Sequence, residues 1–224
     1  MKVIVTGCTG LVGSALVRQC AANDRISHVF ALTRKPLPEA VAQSPKVTVI
    51  LHSDFSTYPP ELLDQLAGAE GCLWAIGGRA TQFPDVETCR RVQVDYTLAA
   101  ARAFLEHLAP QLPEGKQFRF VFCSGKFAEW DQKKALYFMA DTRRIKGQVE
   151  QSLCEIADGD ATKRFVVYCA RPSGILPPDA GLALRLPGKL YGAIEVDHLA
   201  RAFIRILLEG WKERIVENDQ LLQL

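Results

Sequence analysis

Short apolar runs alternate along this chain with longer stretches whose apolar positions recur every three or four residues. Lys2–Thr6, His28–Thr33, Val47–Leu51, Gly71–Ile76, Phe118–Ser124 and Arg164–Ala170 read as continuous apolar strands. Between them the period changes to that of helices, at about Leu11–Ala22, after Pro59 and Pro60, Asp85–Leu108, Gln132–Ala157 and Val196–Glu209. In the first, Leu11, Ala15, Leu16 and Val17 form the apolar side. Strands without polar alternation are buried on both faces, and strands separated by helices need crossovers. The pattern therefore predicts a doubly wound parallel α/β sheet. No low-complexity linker or repeat divides residues 1–224, so one domain is expected. From Arg171 the texture changes: Pro172, Pro177, Pro178 and Pro187 precede the last helix, and residues 171–224 read as a small loop-and-helix extension on the substrate side.

The most chemically specific segment is Val3-Ile4-Val5-Thr6-Gly7-Cys8-Thr9-Gly10-Leu11-Val12-Gly13. An apolar strand runs into a glycine-punctuated turn and then a helix. Gly7 allows the tight exit, Gly10 lets an anion approach the main chain, and Gly13 lets the helix pack close to the sheet. The amides of Thr9, Leu11 and Val12, with the partial positive charge of the helix start, suit a pyrophosphate. After the second strand the chain reads Thr33-Arg34-Lys35, with no carboxylate to accept from a ribose 2′-hydroxyl. Two cations there favour a 2′-phosphate, hence NADP(H) over NAD(H), unless they are only a solvated loop. Asp54 and Phe55 follow the third strand, and Asp54 either meets an adenine amino group or serves as a turn residue. Ile76, Gly77 and Gly78 end the fourth strand, where glycine allows close approach of a ligand or makes a plain turn.

Composition narrows the classes. Hydrophobic residues make up 48% of the 224, charged residues 23%, and the net charge is +2, so neither nucleic acid nor an anionic membrane is expected as partner. No apolar run is long enough to span a bilayer, and the first residues already form a strand, so no secretory leader is expected. Seven cysteines, an odd number without C-x-x-C pairs, suit a reducing compartment and predict a cytosolic protein. The four histidines show no metal-ligand spacing, and no metal is expected.

These motifs, with Trp74-Ala75-Ile76-Gly77-Gly78, Ser124 and Arg171-Pro172-Ser173-Gly174, resemble the short-chain dehydrogenase/reductase superfamily. The chain is most similar to its atypical branch, the Tat-interacting-protein-like NAD(P)-binding proteins, over nearly its whole length. The resemblance implies a Rossmann-type sheet with the dinucleotide across its carboxyl edge. It puts Gly7, Gly10 and Gly13 on the pyrophosphate and Arg34 on the 2′-phosphate. Asp54 and Phe55 would flank the adenine, Ile76 and Gly77 would line its ribose, and Pro172, Ser173, Gly174 and Ile175 would meet the nicotinamide end.

Reductases of that superfamily use Ser, Tyr and Lys, the last two four residues apart on one helix. Here Ser124 and Lys146 match, but Thr142 stands where Tyr is expected. A Thr hydroxyl is no acid near neutral pH and is shorter than a phenol. Tyr137, nine residues before Lys146, faces away from it on a straight helix and reaches the crevice only if the helix begins later. Two readings follow. One is an NADP(H)-dependent oxidoreductase of a small carbonyl compound, with water or Tyr137 supplying the proton and Ser124 and Lys146 in support. The other is a non-catalytic dinucleotide-binding sensor or scaffold. Loops at Ile76–Pro84, Lys126–Leu136 and Ser173–Leu190 would build any substrate pocket.

Overall fold

The computed structural model describes residues 1–181, 188 and 190–224. Its strands are β1 (Lys2–Thr6), β2 (His28–Thr33), β3 (Val47–Leu51), β4 (Gly71–Trp74), β5 (Phe118–Cys123), β6 (Phe165–Arg171), β7 (Ile175–Leu176), β8 (Ile194–Glu195) and β9 (Ile215–Glu217). Seven of them form one sheet in the order β3-β2-β1-β4-β5-β6-β9, and every neighbouring pair is parallel. β7 and β8 make a separate parallel pair. Strand order reverses between β1 and β4, which opens a crevice beyond their carboxyl ends.

The helices are α1 (Leu11–Ala22), α2 (Glu39–Ala42), α3 (Pro60–Gln65), α4 (Val86–Arg90), α5 (Tyr96–His107), α6 (Ala140–Gly159), α7 (Val196–Glu209) and α8 (Asn218–Leu221). Side chains alternate across the sheet and feed two cores. Val3, Val5, Ala31, Leu73 and Val121 pack against α1 and α7. Ile4, Leu32, Cys72, Trp74, Phe120 and Phe122 pack against α5 and α6. That second face is aromatic: Trp74 stacks on Phe120 at 5.7 Å and Phe118 on Phe165 at 5.7 Å. Each fully buried ring of this kind contributes about 1.5–3 kcal/mol.

The elements differ from the sequence reading in three places. The expected helix Asp85–Leu108 is α4, a π turn (Arg91–Asp95) and α5 in succession. The π turn carries the fully buried Gln93, whose amide donates to Cys89 Sγ at 2.9 Å and accepts from Gly78 N at 3.2 Å. The helix expected from Gln132 begins at Ala140, after Met139 with φ of 48°. Local polar bonds hold the preceding segment in turns: Asp131 accepts from Lys133 N at 2.9 Å, and Gln132 donates to the Glu129 and Trp130 carbonyls at 3.1 and 3.3 Å. Finally, part of the chain after Arg171 joins the sheet and its core. α7 packs beside α1 under the sheet, and β9, only three residues long, joins its edge. A strand so short leaves no run for the periodicity to register. Pro187 and part of the expected pocket loop Ser173–Leu190 lie outside the described residues.

Candidate functional site

The glycine turn lies at the switch point. Gly7 leaves β1 with φ of 66°, and a Cβ there would stand 2.5 Å from the Ala75 carbonyl oxygen after β4. A Cβ on Gly13 would fall 2.1 Å from the carbonyl oxygen of Gly7. Main chain thus occupies the space of both side chains, and only glycine fits. Gly10 N donates to Gly7 O at 2.8 Å, closing the turn, and Gly10 caps α1 without any side-chain bond. No acidic residue lies in the first turn of α1, and Thr9, Gly10 and Leu11 are exposed. The arrangement presents unopposed amides and a helix N-terminus to the crevice, as a diphosphate requires. Val12, half-buried, packs against the α1–α7 core.

Arg34 and Lys35 are exposed just beyond β2, beside the glycine turn in sheet order. Asp54 is engaged locally: Oδ1 accepts from Ser56 N at 3.0 Å and Ser56 Oγ at 2.5 Å, and Oδ2 from Thr57 Oγ1 at 3.3 Å. These bonds to Ser56, with Thr57, hold its carboxyl below the usual range. Asp54 is a turn residue here. Phe55 points its ring into the core against Trp74 and is buried. Ile76 is half-buried, Gly77 exposed, and Gly78 tied to Gln93.

Lys146 enters from α6. Its ammonium donates to the Cys123 carbonyl at 2.8 Å and lies 4.8 Å over the Phe122 ring. A Cβ on Gly77 would stand 3.1 Å from it, so Lys146 faces the end of β4. Burial lowers its pKa, offset in part by Cys123 and Glu150. Thr142, one turn earlier, accepts from Ala80 N at 2.8 Å and pins the loop after β4. Tyr137 does lie in a loop, since α6 starts after it, but its side chain is 99% exposed and enters no crevice.

Ser124 is buried and its hydroxyl donates to Glu150 Oε1 at 2.5 Å. Glu150, fully buried, also accepts from Trp130 Nε1 at 2.7 Å and from Arg171 through Nε at 2.9 Å and Nη2 at 2.5 Å. The proton of Ser124 is therefore held by a carboxylate rather than offered to a ligand. The sequence reading missed Glu150, though it lies one turn beyond Lys146 on the same helix face. It also missed Asn218, which accepts from Ser173 N at 2.7 Å and donates to Gly192 O at 2.9 Å. Asn218 thereby fixes the Pro172–Ile175 segment, in which Pro172 is buried, Gly174 O accepts from Ile194 N at 2.8 Å, and Ile175 opens β7.

The molecule has a Rossmann-like α/β fold, and solved structures of short-chain dehydrogenases and reductases share it. Among solved structures, an active-site complex of RhlG with NADP from Pseudomonas aeruginosa superposes with a TM-score of 0.76 at 12% identity, covering 100% of this chain and 96% of that one. The NADPH complex of Gre2 from Candida albicans gives 0.72 at 15% identity, covering 97% and 78%. In sequence, the chain is 29% identical over 194 residues to the leucinostatins biosynthesis cluster protein T of Purpureocillium lilacinum, across 77% of this chain and 64% of that protein. The chain thus spans just under two thirds of the length of that relative. No family model matches the sequence. Among the described residues no helix is long and apolar enough to cross a membrane, and no group of side chains is arranged to hold a metal ion.

Proposed function

We propose that this chain binds a nicotinamide dinucleotide, NADP(H) in preference to NAD(H), and works as an oxidoreductase on a small carbonyl compound. The observation that carries the reading is the glycine turn at the switch point, where main chain fills the space a Cβ would need at Gly7 and Gly13 and the first turn of α1 holds no acidic residue. Gly7, Thr9, Gly10, Leu11, Val12 and Gly13 would hold the diphosphate, and Arg34 with Lys35 the 2′-phosphate. Ile76, Gly77 and Gly78 would lie along the adenine side, with Asp54 and Phe55 flanking the adenine. Lys146 would face the nicotinamide ribose, and Pro172, Ser173, Gly174 and Ile175 the nicotinamide. The bound dinucleotide would supply the hydride chemistry. RhlG and Gre2, whose structures carry NADP and NADPH, support the class of ligand. The seven free thiols suit a reducing compartment, read as the cytosol.

The protein's own groups would do less here than in a Ser-Tyr-Lys site. Ser124 spends its proton on Glu150, and Tyr137 lies in solvent. Water would then supply the proton to a substrate oxygen, with Lys146 as the nearby positive charge. The same observation favours a second reading, in which the chain binds the dinucleotide as a sensor or scaffold and transfers no hydride. Titration with NADPH and NADH, followed by a screen of small aldehydes and ketones under NADPH, separates the two. Turnover supports the oxidoreductase, tight binding without turnover supports the sensor, and absence of binding refutes both.

A further inference from the structure

The chain between β5 and α6 is braced at many points and still shows aromatic rings to solvent. Lys126 N donates to Pro172 O at 2.9 Å, and Glu129 N donates to Arg143 O at 2.9 Å. The Glu129 main chain lies so close to α6 that a Cβ on Gly147 would have no room. Arg144 Nη2 donates to Lys134 O at 3.0 Å, and Lys134 pairs with Glu129 at 2.6 Å. A segment tied down in this way does not expose side chains through slack, yet Phe127, Phe138 and Met139 are each about half exposed. Phe127 and Phe138 meet edge to face with ring centroids 5.3 Å apart. The chain then enters α6 through Met139, whose φ of 48° is costly for a residue with a Cβ.

Arg143 completes the platform. Its guanidinium carbon lies 5.0 Å from the Phe138 ring centroid and 5.9 Å from that of Phe127. Its Nε donates to Phe127 O at 2.9 Å, which fixes the guanidinium in place. Nη1 and Nη2 have no hydrogen-bond or ion-pair partner among the described residues. Glu129, the carboxylate that feels this charge, is already paired with Lys134. Asp141 is exposed and stands two residues earlier, about 200° round the helix. A half-buried guanidinium held against two rings, with its terminal donors unspent, suits a carboxylate attached to an apolar body.

The platform is continuous with the crevice. Arg143 stands three residues before Lys146, on the same face of α6. It follows Thr142, whose hydroxyl accepts from Ala80 N in the loop after β4, and Phe127 follows Ser124 by three residues. We propose that Arg143 binds an acid group of the substrate and that Phe127 and Phe138 receive its apolar body. The substrate class is then an apolar or aromatic carboxylic acid that also bears a carbonyl group. This assignment rests on the dinucleotide reading of the same crevice and adds to it a specificity-determining residue.

The test is calorimetry on the NADPH-loaded full chain, with 3-phenylpropanoate and 3-phenylpropanamide as probes of one shape and different charge. The acid should bind about tenfold more tightly than the amide, as a charge-assisted fork predicts. Arg143→Gln should bring the two affinities together, Lys126→Gln should keep them apart, and Phe138→Ala should weaken both probes alike. Arg143→Lys, which keeps the charge without the fork, should retain part of the preference, and it carries the test should Arg143→Gln not fold. Neither probe binding, equal binding of both to the wild type, or a preference that outlives Arg143→Gln or vanishes with Lys126→Gln would overturn the assignment. A parallel loss of NADPH affinity in Arg143→Gln would also overturn it, by making Arg143 a cofactor residue. Failure of NADPH itself to bind, seen before any probe is added, would instead remove the dinucleotide reading and this inference with it.

Discussion

Arg171 grips Glu150 through two parallel bonds, Nε to Oε1 at 2.9 Å and Nη2 to Oε2 at 2.5 Å, and the carboxylate they hold is fully buried. This pair brings together α6, the end of β6 and, through Ser124 and Trp130, the end of β5 and the loop after it. Removing the carboxylate strips the guanidinium of its buried partner, leaving it only Glu217 Oε1 at 2.9 Å, and orphans the Ser124 and Trp130 donors, the costly way to break such a network. Glu150→Ala should therefore lose about 3–5 kcal/mol of stability in urea unfolding. Glu150→Ala within 1 kcal/mol of wild type would show that the network does not hold these loops.

Arg34, with a planar guanidinium, can fork onto a phosphate, whereas Lys35 offers only a point charge. Arg34→Glu should weaken NADPH binding by about tenfold or more, from loss of a charge-assisted bond, and leave NADH within about twofold. Equal losses for both dinucleotides would remove the 2′-phosphate assignment.

Tyr137, 99% exposed, has no contact through which to serve the crevice. Tyr137→Phe should leave turnover and NADPH affinity unchanged within about twofold, as for an isolated surface change. A drop of tenfold or more in turnover, with binding intact, would make this phenol the proton donor after all.

Much of this was legible in the chain itself. Glycine spacing placed Gly7 and Gly13 where main chain leaves no room for a Cβ, because a strand-turn-helix exit has few geometries. The first six strands fall at the right segments, since two-sided burial demands unbroken apolar runs. What was hidden depends on contacts distant in sequence. Trp130 and Glu150 lie 20 residues apart and Ser173 and Asn218 lie 45 apart, so no local period reports them. Asp54 shows the other limit: its residue type suits an adenine contact and a turn equally, and the sequence alone does not report that its oxygens bond to Ser56 and Thr57.

Acid stability offers a separate check. Burial pushes the Asp160 carboxyl up, but the donors around it prevail and lower it: Thr162 Oγ1 at 2.5 Å, Phe165 N at 2.9 Å, Thr162 N at 2.9 Å and Arg164 N at 2.7 Å. A carboxyl lower in the folded than in the unfolded chain adds stability above its unfolded value, about 3.9 for Asp, and that gain fades as pH falls through the folded value. The wild type should therefore lead Asp160→Asn in urea midpoint near pH 6, with the lead shrinking below about pH 4. A lead that is constant with pH would contradict this role.

Saturation of the protein with NADPH, followed through the fluorescence of the reduced nicotinamide, tests the central claim most directly. A single site at micromolar or tighter affinity is expected, competed by NADP but only weakly by NAD, and abolished by a bulky acid at the turn in Gly10→Glu. Fluorescence that never saturates, or a Gly10→Glu protein that binds as well as wild type, would show that the glycine turn holds no dinucleotide.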